Sequence, residues 1–530
     1  MALSSPLRSL VAVATGIILL ATTAWLLVQL AQRQFTSHLR DQAAHALALA
    51  ATGDTPYRWR FKSADDIVAG RVFGANDSRF SDGELVVRSS GTPFEIGMPL
   101  ARVVDLRRFP HLQVVLAVDA DVQVQVVARQ ELDAPELVSA STSLPAGEHK
   151  LAIDLAAPGW TSQAHVAVAP VVAAMLRLRV TLPDGKQLLL RAISLNRIQG
   201  AQPVDLARAP RVVDPDVAAG EATPVFRLAF RQPLQKVDIA ALSATVDSRT
   251  PLLVLLPQRG RVERQIALRD AVFAALPGAI LIPENAVDAT FAQARALGTT
   301  GDTAAPEFLR WLALIVYALL LGLVRVRPSR APRLRAVTEI ALVLAAPLWL
   351  IVAGQFDGNP DAVQKTLIAL SLIYAVSLSV PRTWQWNGSA RAWSLAAALV
   401  VLAALLGFLL HRPGEALRAI SVGHVARYLA WALLQQYLIC AVCTERWRVV
   451  SGNAGVAAYL GALGFALMHT PNAALMLATM LAGLCWCALY LRERALLPLA
   501  LSHAASALLL LALLPADILA SAEVSARFFQ

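Results

Sequence analysis

The sequence is poor in charge and in cysteine. Only 16% of its 530 residues are charged, whereas 56% are hydrophobic and the mean hydropathy is +0.54. Soluble domains carry about 25% charged residues, so this balance excludes an ordinary soluble protein and predicts membrane-spanning helices. All four cysteines lie in apolar stretches, at Cys440, Cys443, Cys485 and Cys487. The long polar part of the chain has none, which excludes disulfide bonds there.

Acidic residues are outnumbered by basic ones, 37 against 47, which gives a net charge of +10. A basic balance is also typical of nucleic-acid-binding proteins, but no basic motif is interleaved with aromatic residues here. We therefore expect no nucleic-acid partner. The basic residues are nearly all arginines that cluster between apolar runs, which is the pattern of loops on the cytoplasmic side of a membrane.

The apolar runs predict a membrane anchor and a membrane domain. Residues 10–31 are uncharged and about as long as a bilayer requires, and no small-residue cleavage site follows them. Residues 1–35 are therefore predicted to be a retained signal anchor rather than a cleaved signal peptide. Eight further apolar helices are predicted within a membrane domain at 305–530. They lie at about 307–325, 334–354, 363–380, 391–410, 424–444, 454–469, 473–491 and 496–515.

Arginine placement predicts the orientation of these helices. Arg325 to Arg335 crowd one loop, and pairs such as Arg446 with Arg448 mark later alternate loops. The N-terminus is then cytoplasmic, residues 36–305 are extracytoplasmic and the chain ends outside. Arg412 and Arg418 are exceptions. Richness in arginine and alanine, without an organelle signal, is typical of a protein of the bacterial inner membrane, so the lipid bilayer is a partner.

Residues 36–305 change in character to short alternating segments, which predict strands. The segments Leu112–Val127, Glu95–Val103 and Glu148–Leu155 alternate apolar with polar residues. Leu176–Ile193 contains two such runs around Pro183-Asp184-Gly185, which predicts a β-hairpin. We expect a β-sandwich-like domain over 36–205.

A second piece of different character follows. Residues 206–221, rich in Pro, Ala and Asp, are predicted to be a linker. Residues 222–304 are predicted to form a small α/β segment, with strands at Leu252–Leu256 and Ala279–Ile282 and a helix at Arg269–Ala275. The predicted fold is thus a polytopic α-helical membrane domain of about eight helices plus the anchor helix, joined to a β-rich extracytoplasmic domain.

Three polar spots interrupt the apolar helices near the C-terminus. They are the pair Gln435-Gln436, the motif Phe465-x-x-x-His469 and His503. Polar side chains within a bilayer are costly, so they usually mark a pathway or a reaction centre. Any one of them alone has an ordinary explanation: interhelical hydrogen bonding for the glutamines, a helix end for His469, or a satisfied core position for His503.

Together, the three spots resemble the CPBP, or CAAX-protease-like, family of intramembrane endopeptidases, over about residues 335–515. In that family the motifs are Glu-Glu-x-x-x-Arg, Phe-x-x-x-His and His-x-x-x-Asn. The second motif is intact here, and the stretches LGFALMHTPN and ALYLRERALLPLALSHAASALL follow the family's order and spacing. The resemblance implies cleavage of a membrane-embedded or lipid-modified peptide, with His469, His503, Gln435 and Gln436 as the site residues.

The sequence departs from the family at four positions. Gln435 and Gln436 replace the acids, Cys440 replaces the arginine and Ala507 replaces the asparagine. An amide has no lone pair of useful basicity, so neither glutamine can be a general base. Loss of a general base typically costs about 10²–10⁴-fold in rate, so the departures favour a weak or inactive protease.

Two replacements for the missing base are open. One of the two histidines can itself take the proton, since imidazole titrates near neutral pH. Alternatively, a carboxylate elsewhere enters the site. The candidates are Glu339, for which a solvated interfacial position is expected, and Glu445, for which an ion pair with Arg446 in a loop is expected.

The sequence gives little indication of a bound metal ion. Zinc held by His469 and His503 would need a third protein ligand, and the sequence offers no clear one. The cysteines at 440, 443, 485 and 487 are expected to be small buried thiols. The histidines of the β-rich part, His111, His149 and His165, show no metal-like spacing.

The aromatic residues of the β-rich part allow two explanations. They either form a sugar-binding face or fill a sandwich core: Tyr57, Trp59, Phe61, Phe73 and Phe80. Three hypotheses for the whole protein follow. It is an intramembrane protease, a pseudoprotease that binds substrate as a membrane scaffold, or an envelope protein that binds a glycan or a protein through its extracytoplasmic domain.

Overall fold

The structure is a computed structural model, and its chain divides into two compact units. The first contains residues 1–35, 259–266 and 303–530, and the second contains 36–258 and 267–302. The residues that the structure describes are 5–75, 77–162, 165–208, 210–213, 224–227, 247–300, 307–353, 360–378, 384–414, 417–515 and 523–529.

The second unit contains two antiparallel sheets that share one apolar core, the arrangement of a β-sandwich. Alternate residues of each strand point into this core. In the strand over His111–Val118, for example, every second residue is buried. The strands of the sandwich are β1 Arg58–Arg60, β2 Asp77–Ser81, β3 Glu84–Arg88, β4 Phe94–Met98, β5 Val104–Asp105, β6 His111–Val118, β7 Val122–Arg129, β8 Leu137–Val138, β9 Thr142–Leu144, β10 Gly147–Asp154, β11 Trp160–Ser162, β12 His165–Ala167, β13 Val172–Ala173, β14 Met175–Thr181 and β15 Gln187–Asn196.

The first sheet has the order β10-β6-β15-β3-β2, with β1 also paired to β15. The second has the order β12-β11-β8-β7-β14-β4, with β9 also paired to β7, and β5 and β13 form a separate two-stranded ladder. The segment Leu112–Val127, predicted as one alternating stretch, is split between β6 and β7. These two strands lie in different sheets.

The hairpin predicted around Pro183-Asp184-Gly185 is wrong. The two flanking strands, β14 and β15, exist, but β14 pairs with β4 and β7 whereas β15 pairs with β1, β3 and β6. The turn therefore carries the chain from one sheet to the other. Both strands bury alternate residues in the common core, so the sequence pattern is the same as that of a hairpin.

The remainder of the second unit is a four-stranded parallel sheet. Its order is β16 Arg211–Val213, β17 Pro224–Arg227, β18 Leu252–Leu256 and β19 Ala279–Pro283. Two helices accompany the sheet: α2 Val262–Ala275, between β18 and β19, whose residues up to 266 belong to the first unit, and α3 Val287–Thr300. β18 and β19 are the predicted strands. β16, however, lies within the segment 206–221 for which a linker was predicted.

The first unit is helical. Its helices are α1 Ser5–Thr52 (through residue 35), α4 Glu307–Val326, α5 Pro332–Val352, α6 Ala362–Ser377, α7 Ala390–Leu410, α8 Val422–Gln436, α9 Glu445–Ser451, α10 Ala454–Leu467, α11 Ala473–Glu493 and α12 Leu497–Leu513. A π-helical stretch, Tyr437–Thr444, joins α8 to α9 in one continuous rod. Helices therefore occupy all nine segments predicted from the apolar runs.

Six of these rods are long and apolar enough to cross a membrane, within the described part of the chain. They are α1, α4, α5, α7, the rod from Val422 to Ser451, and α11. Three apolar helices, α6, α10 and α12, are shorter. A membrane protein with a β-rich region is therefore supported, whereas the number of spans and their orientation stay predictions.

Local sequence explains how the helices around the polar spots begin and end. Gly452 adopts a left-handed conformation and ends α9, and the Asn453 side chain then accepts hydrogen bonds from the first backbone N–H groups of α10. The Asn472 side chain starts α11 in the same way. These caps fix the two short connections that flank α10, and the second connection contains His469.

Candidate functional site

Gln436 and His503 meet in the interior of the helical unit. Both side chains are buried, at 2% and 3% exposure, and Gln436 Nε2 lies 3.3 Å from His503 Nδ1. An amide nitrogen can only donate, so His503 Nδ1 accepts this hydrogen bond and the neutral ring carries its proton on Nε2. Two residues that are 67 positions apart in sequence are thus joined in one polar contact.

His469 has the opposite tautomer. Its Nδ1 lies 2.8 Å from the backbone carbonyl oxygen of Phe465. A carbonyl oxygen can only accept, so Nδ1 of His469 carries the proton and Nε2 keeps its lone pair. The neutral pair therefore offers one acceptor, His469 Nε2, and one donor, His503 Nε2–H. A base and an oxyanion donor are the two groups that peptide hydrolysis requires.

Phe465 contacts both imidazoles. Its ring centroid is 4.8 Å from that of His469 and 5.4 Å from that of His503, with interplanar angles of 88° and 87°. The one-turn spacing predicts the contact with His469. Trp486 of α11 closes another side of His503, at 4.7 Å, and its Nε1–H donates to Ser502 Oγ. Aromatic packing therefore fixes the orientation of both rings.

The first motif contributes one buried amide and one half-buried amide. Gln436 points to His503, whereas the neighbouring Gln435 is half-buried. Gln436 Oε1 accepts a hydrogen bond from the Cys440 thiol at 3.2 Å. Cys440, which stands where the family has arginine, thus supplies the donor that a neutral amide requires. The pattern of substitutions is chemically consistent, since a buried arginine here would lack a negative partner.

The third motif lacks its amide, but a hydroxyl lies beside the vacant position. Ser506 is three residues beyond His503 in α12, on the same helix face. Its Oγ is buried and has no hydrogen-bond partner within the described residues. The sequence analysis missed Ser506 because serine is common at interfaces between membrane helices.

The two carboxylates considered as substitutes do not reach the histidines. Glu339 was expected to be solvated, but it is 5% exposed and forms ion pairs with Arg446, at 2.7 Å, and Arg335, at 2.8 Å. Glu445 pairs with Arg494 rather than with the expected Arg446. Both acids therefore connect helices of the membrane domain and are already neutralised.

A third carboxylate, Glu263, was missed altogether. It belongs to the short segment 259–266 of the helical unit, is 3% exposed, and its Oε1 accepts a hydrogen bond from Ala474 N–H at 3.0 Å. It thus caps the start of α11, directly after the connection that contains His469. No sequence signal identifies it, since 206 positions separate it from that histidine.

The donor set does not fit zinc. Among the described residues, no group of three His, Cys, Asp or Glu side chains is arranged to hold a metal ion. His469 and His503 have no third ligand, whereas a catalytic zinc needs three from the protein. Of the cysteines, Cys440, Cys443 and Cys487 are buried, as expected, and Cys485 is exposed.

The aromatic residues of the sandwich mostly fill its core. Trp59 and Phe61 are buried, and Tyr57 and Phe80 pack against the same cluster. Phe73 is half-buried, with the guanidinium groups of Arg71 and Arg177 near its ring. The structure therefore favours the core explanation over a flat sugar-binding face.

The helical unit is thus a polytopic membrane domain with two histidines in one buried site. The segment of residues 429–509, which contains the site, matches the family model described as Type II CAAX prenyl endopeptidase Rce1-like. This match confirms the resemblance predicted from the motifs.

No curated protein matches the chain. A low-affinity xylan binding module from Roseburia intestinalis matches with 14% identity over 27% of this chain and 98% of the module, with a TM-score of 0.19. A family two carbohydrate esterase from Clostridium thermocellum matches with 10% identity over 44% of this chain and 86% of the esterase, with a TM-score of 0.16.

Proposed function

We propose that the protein is an intramembrane endopeptidase of the CAAX-protease type with a variant site, and that it cleaves a membrane-embedded or lipid-modified peptide. The observation that carries the proposal is the pair of complementary tautomers. The contacts at Nδ1 leave a lone pair on His469 Nε2, which can accept a proton, and a proton on His503 Nε2, which can be donated in a hydrogen bond.

The reaction then needs no carboxylate. His469 Nε2 takes a proton from a water molecule, whose oxygen attacks the peptide carbonyl carbon. His503 Nε2–H, held by Gln436, donates to the oxyanion that develops. The C–N bond breaks when protonated His469 returns its proton to the leaving nitrogen, which yields one carboxylic acid and one amine.

A second candidate is a pseudoprotease that binds a membrane peptide without cleaving it. One observation favours it. Gln436 is satisfied on both sides, by His503 and by Cys440, so this amide does not need a substrate to complete its hydrogen bonds.

One experiment distinguishes the two. The purified full-length protein is incubated with a library of membrane-anchored and prenylated peptides, beside His469→Ala and Gln435→Glu variants. His165→Ala, a change of an exposed histidine in the sandwich, is the matched control. Cleavage by wild type and by the control, with a loss of about 10²-fold or more in His469→Ala, is expected. Cleavage only by Gln435→Glu would establish the pseudoprotease instead.

A further inference from the structure

A pocket in the second unit collects positive charge that no reaction described above uses. It opens where the end of the sandwich meets the beginnings of β18 and β19. Three arginines line it, Arg108, Arg197 and Arg249, together with Phe109 and Gly278. None of the residues that line it is acidic.

The arginines enter from three separate parts of the chain. Arg108 precedes β6, Arg197 directly follows β15, and Arg249 lies three residues before β18. Backbone hydrogen bonds fix these segments to one another: Ile198 N–H donates to Arg108 O at 3.0 Å, and Gln202 N–H donates to Arg249 O at 2.9 Å. The positions of the guanidinium groups are therefore set by the fold.

Arg108 is held in place from two sides. Its guanidinium donates to the backbone carbonyl oxygens of Ser248 and Thr250, and its Nε lies 3.6 Å from Asp105 Oδ2. Asp105, however, is already engaged by Arg107 through two bonds of 3.0 Å. The single negative charge of Asp105 thus faces the positive charges of both Arg107 and Arg108, which leaves a net positive charge at the wall of the pocket.

Gly278 allows this arrangement. A Cβ atom at this position would lie 2.5 Å from Arg108 Cδ and 3.1 Å from its Nε. A side chain here would therefore displace the arginine from the wall.

Arg197 differs from Arg108 in its hydrogen bonding. Its Nε is buried and has no hydrogen-bond partner within the described residues, and its guanidinium carbon lies 5.8 Å from the centroid of the Phe109 ring. Burial lowers the pKa of Arg197, and burial together with the nearby charges of Arg107 and Arg197 lowers the pKa of Arg108. A buried donor without an acceptor is costly, and an anion in the pocket would remove that cost.

We infer that this pocket binds an oxyanion, either a phosphate group or the carboxylate of an acidic sugar, with Arg197 Nε as a donor and with Arg108 and Arg249 supplying charge. Guanidinium groups suit both anions because their planar N–H groups can donate two parallel hydrogen bonds to one oxyanion. The site lies in the second unit and does not depend on the proposed protease activity.

Binding to the full-length protein in detergent micelles tests this inference. Titration calorimetry is carried out with inorganic phosphate and with glucuronate at constant ionic strength, with chloride as the reference anion. Saturable binding of one or both is expected. Phosphate alone would identify the phosphate group as the ligand chemistry, and glucuronate alone the carboxylate. No saturable binding of either anion would overturn the inference.

Variants locate the site. Arg197→Gln is expected to weaken binding about 10-fold or more, since it removes a charge-assisted donor. Arg249→Gln, which changes an exposed side chain, is expected to weaken binding to a smaller extent. Arg79→Gln, an exposed arginine of β2 outside the pocket, is the matched control and should bind as wild type does. Equal binding by all three variants would place the anion elsewhere, and the thermal midpoint without anion shows that each variant is folded.

Discussion

The buried hydroxyl of Ser506 is a second candidate donor, beside His503, for the proposed peptide hydrolysis. Ser506 shares a helix face with His503 and has a buried Oγ without a described partner. We predict that it donates a second hydrogen bond to the oxyanion. Ser506→Ala should then lower kcat by about 10²-fold with little change in KM, because such donors act mainly in the transition state.

Ser506→Thr is the control for that prediction, since it keeps a hydroxyl on the same atom position. It should retain most of the activity in the same peptide-cleavage assay. Equal losses in the two variants, or a change confined to KM, would assign Ser506 to packing rather than to the reaction.

Single residues also show where sequence reasoning ends. The family spacing predicts His469 and His503 as site residues, and the structure places both against Phe465. The tautomers could not be predicted, because they depend on which atoms face Nδ1 in three dimensions. Cys440 follows Gln436 by one helical turn, so the spacing allows the two side chains to meet. The sequence alone did not indicate this hydrogen bond, because a cysteine in such a helix is expected to be an apolar packing residue.

At the scale of elements, the packing of α10 depends on one glycine. A Cβ atom at Gly461 would overlap with the Thr444 hydroxyl and lie 3.0 Å from Cys487 Sγ, so three helical segments approach closely there. Gly461→Ala should therefore destabilise the protein by about 1–3 kcal/mol through overpacking. Chemical unfolding of the variant in detergent micelles measures this change.

Gly464 is the matched control in the same helix. A Cβ atom there would have its nearest neighbour, Leu344 Cδ1, at 3.8 Å, which is ordinary contact. Gly464→Ala should thus be neutral or stabilising, since it also raises helix propensity. Equal effects of the two substitutions would show that propensity, not the close approach, controls the stability of α10.

The pairing of β4 with β14 contains a pH-dependent interaction. Glu95 of β4 accepts hydrogen bonds from Arg177 at 2.9 Å and from Arg179 at 2.8 Å. Burial alone would raise the pKa of Glu95, but these two arginines outweigh it and hold the pKa below its ordinary value of 4.5. Because the folded pKa is depressed, this contribution to stability is present above about pH 4.5 and is lost as the pH falls through the folded pKa.

Glu95→Gln should accordingly flatten the acid side of the stability profile. We expect the thermal midpoint of wild type to fall more steeply below pH 4.5 than that of the variant. Asp77→Asn, which changes an exposed carboxylate of β2, controls for a general effect of removing one acid. Parallel profiles for wild type and Glu95→Gln would exclude the ion pair as the source.

The positions of helices and strands were predictable where the order of apolar and polar residues along the chain determines them. Apolar runs located the helices, and alternation located strands such as β6 and β10. Pairing was not predictable: the turn at Pro183-Asp184-Gly185 links two sheets, because alternation records which face is buried but not which strand is the neighbour. Likewise the burial of Glu339 depends on Arg446, which lies 107 positions away.

At the scale of the whole molecule, charge should determine which side of the membrane each part faces. The arginine-rich loop between α4 and α5, residues 327–331, is expected to be cytoplasmic, and the sandwich is expected to be outside. A thiol introduced at Ser81, an exposed position of β2, should therefore react with a membrane-impermeant maleimide in intact spheroplasts. A thiol at Ser329 should react only after the membrane is permeabilised.

The native protein provides the blank for this labelling experiment. Its four cysteines all lie in apolar helices, and three of them are buried, so we expect little background from wild type. Reaction of Ser329→Cys in intact spheroplasts, or protection of Ser81→Cys, would reverse the predicted orientation. The orientation matters for the proposed function because it determines on which side of the membrane the β-rich domain lies. The side on which Ser81 is labelled is therefore the side from which residues 36–305 can meet a substrate.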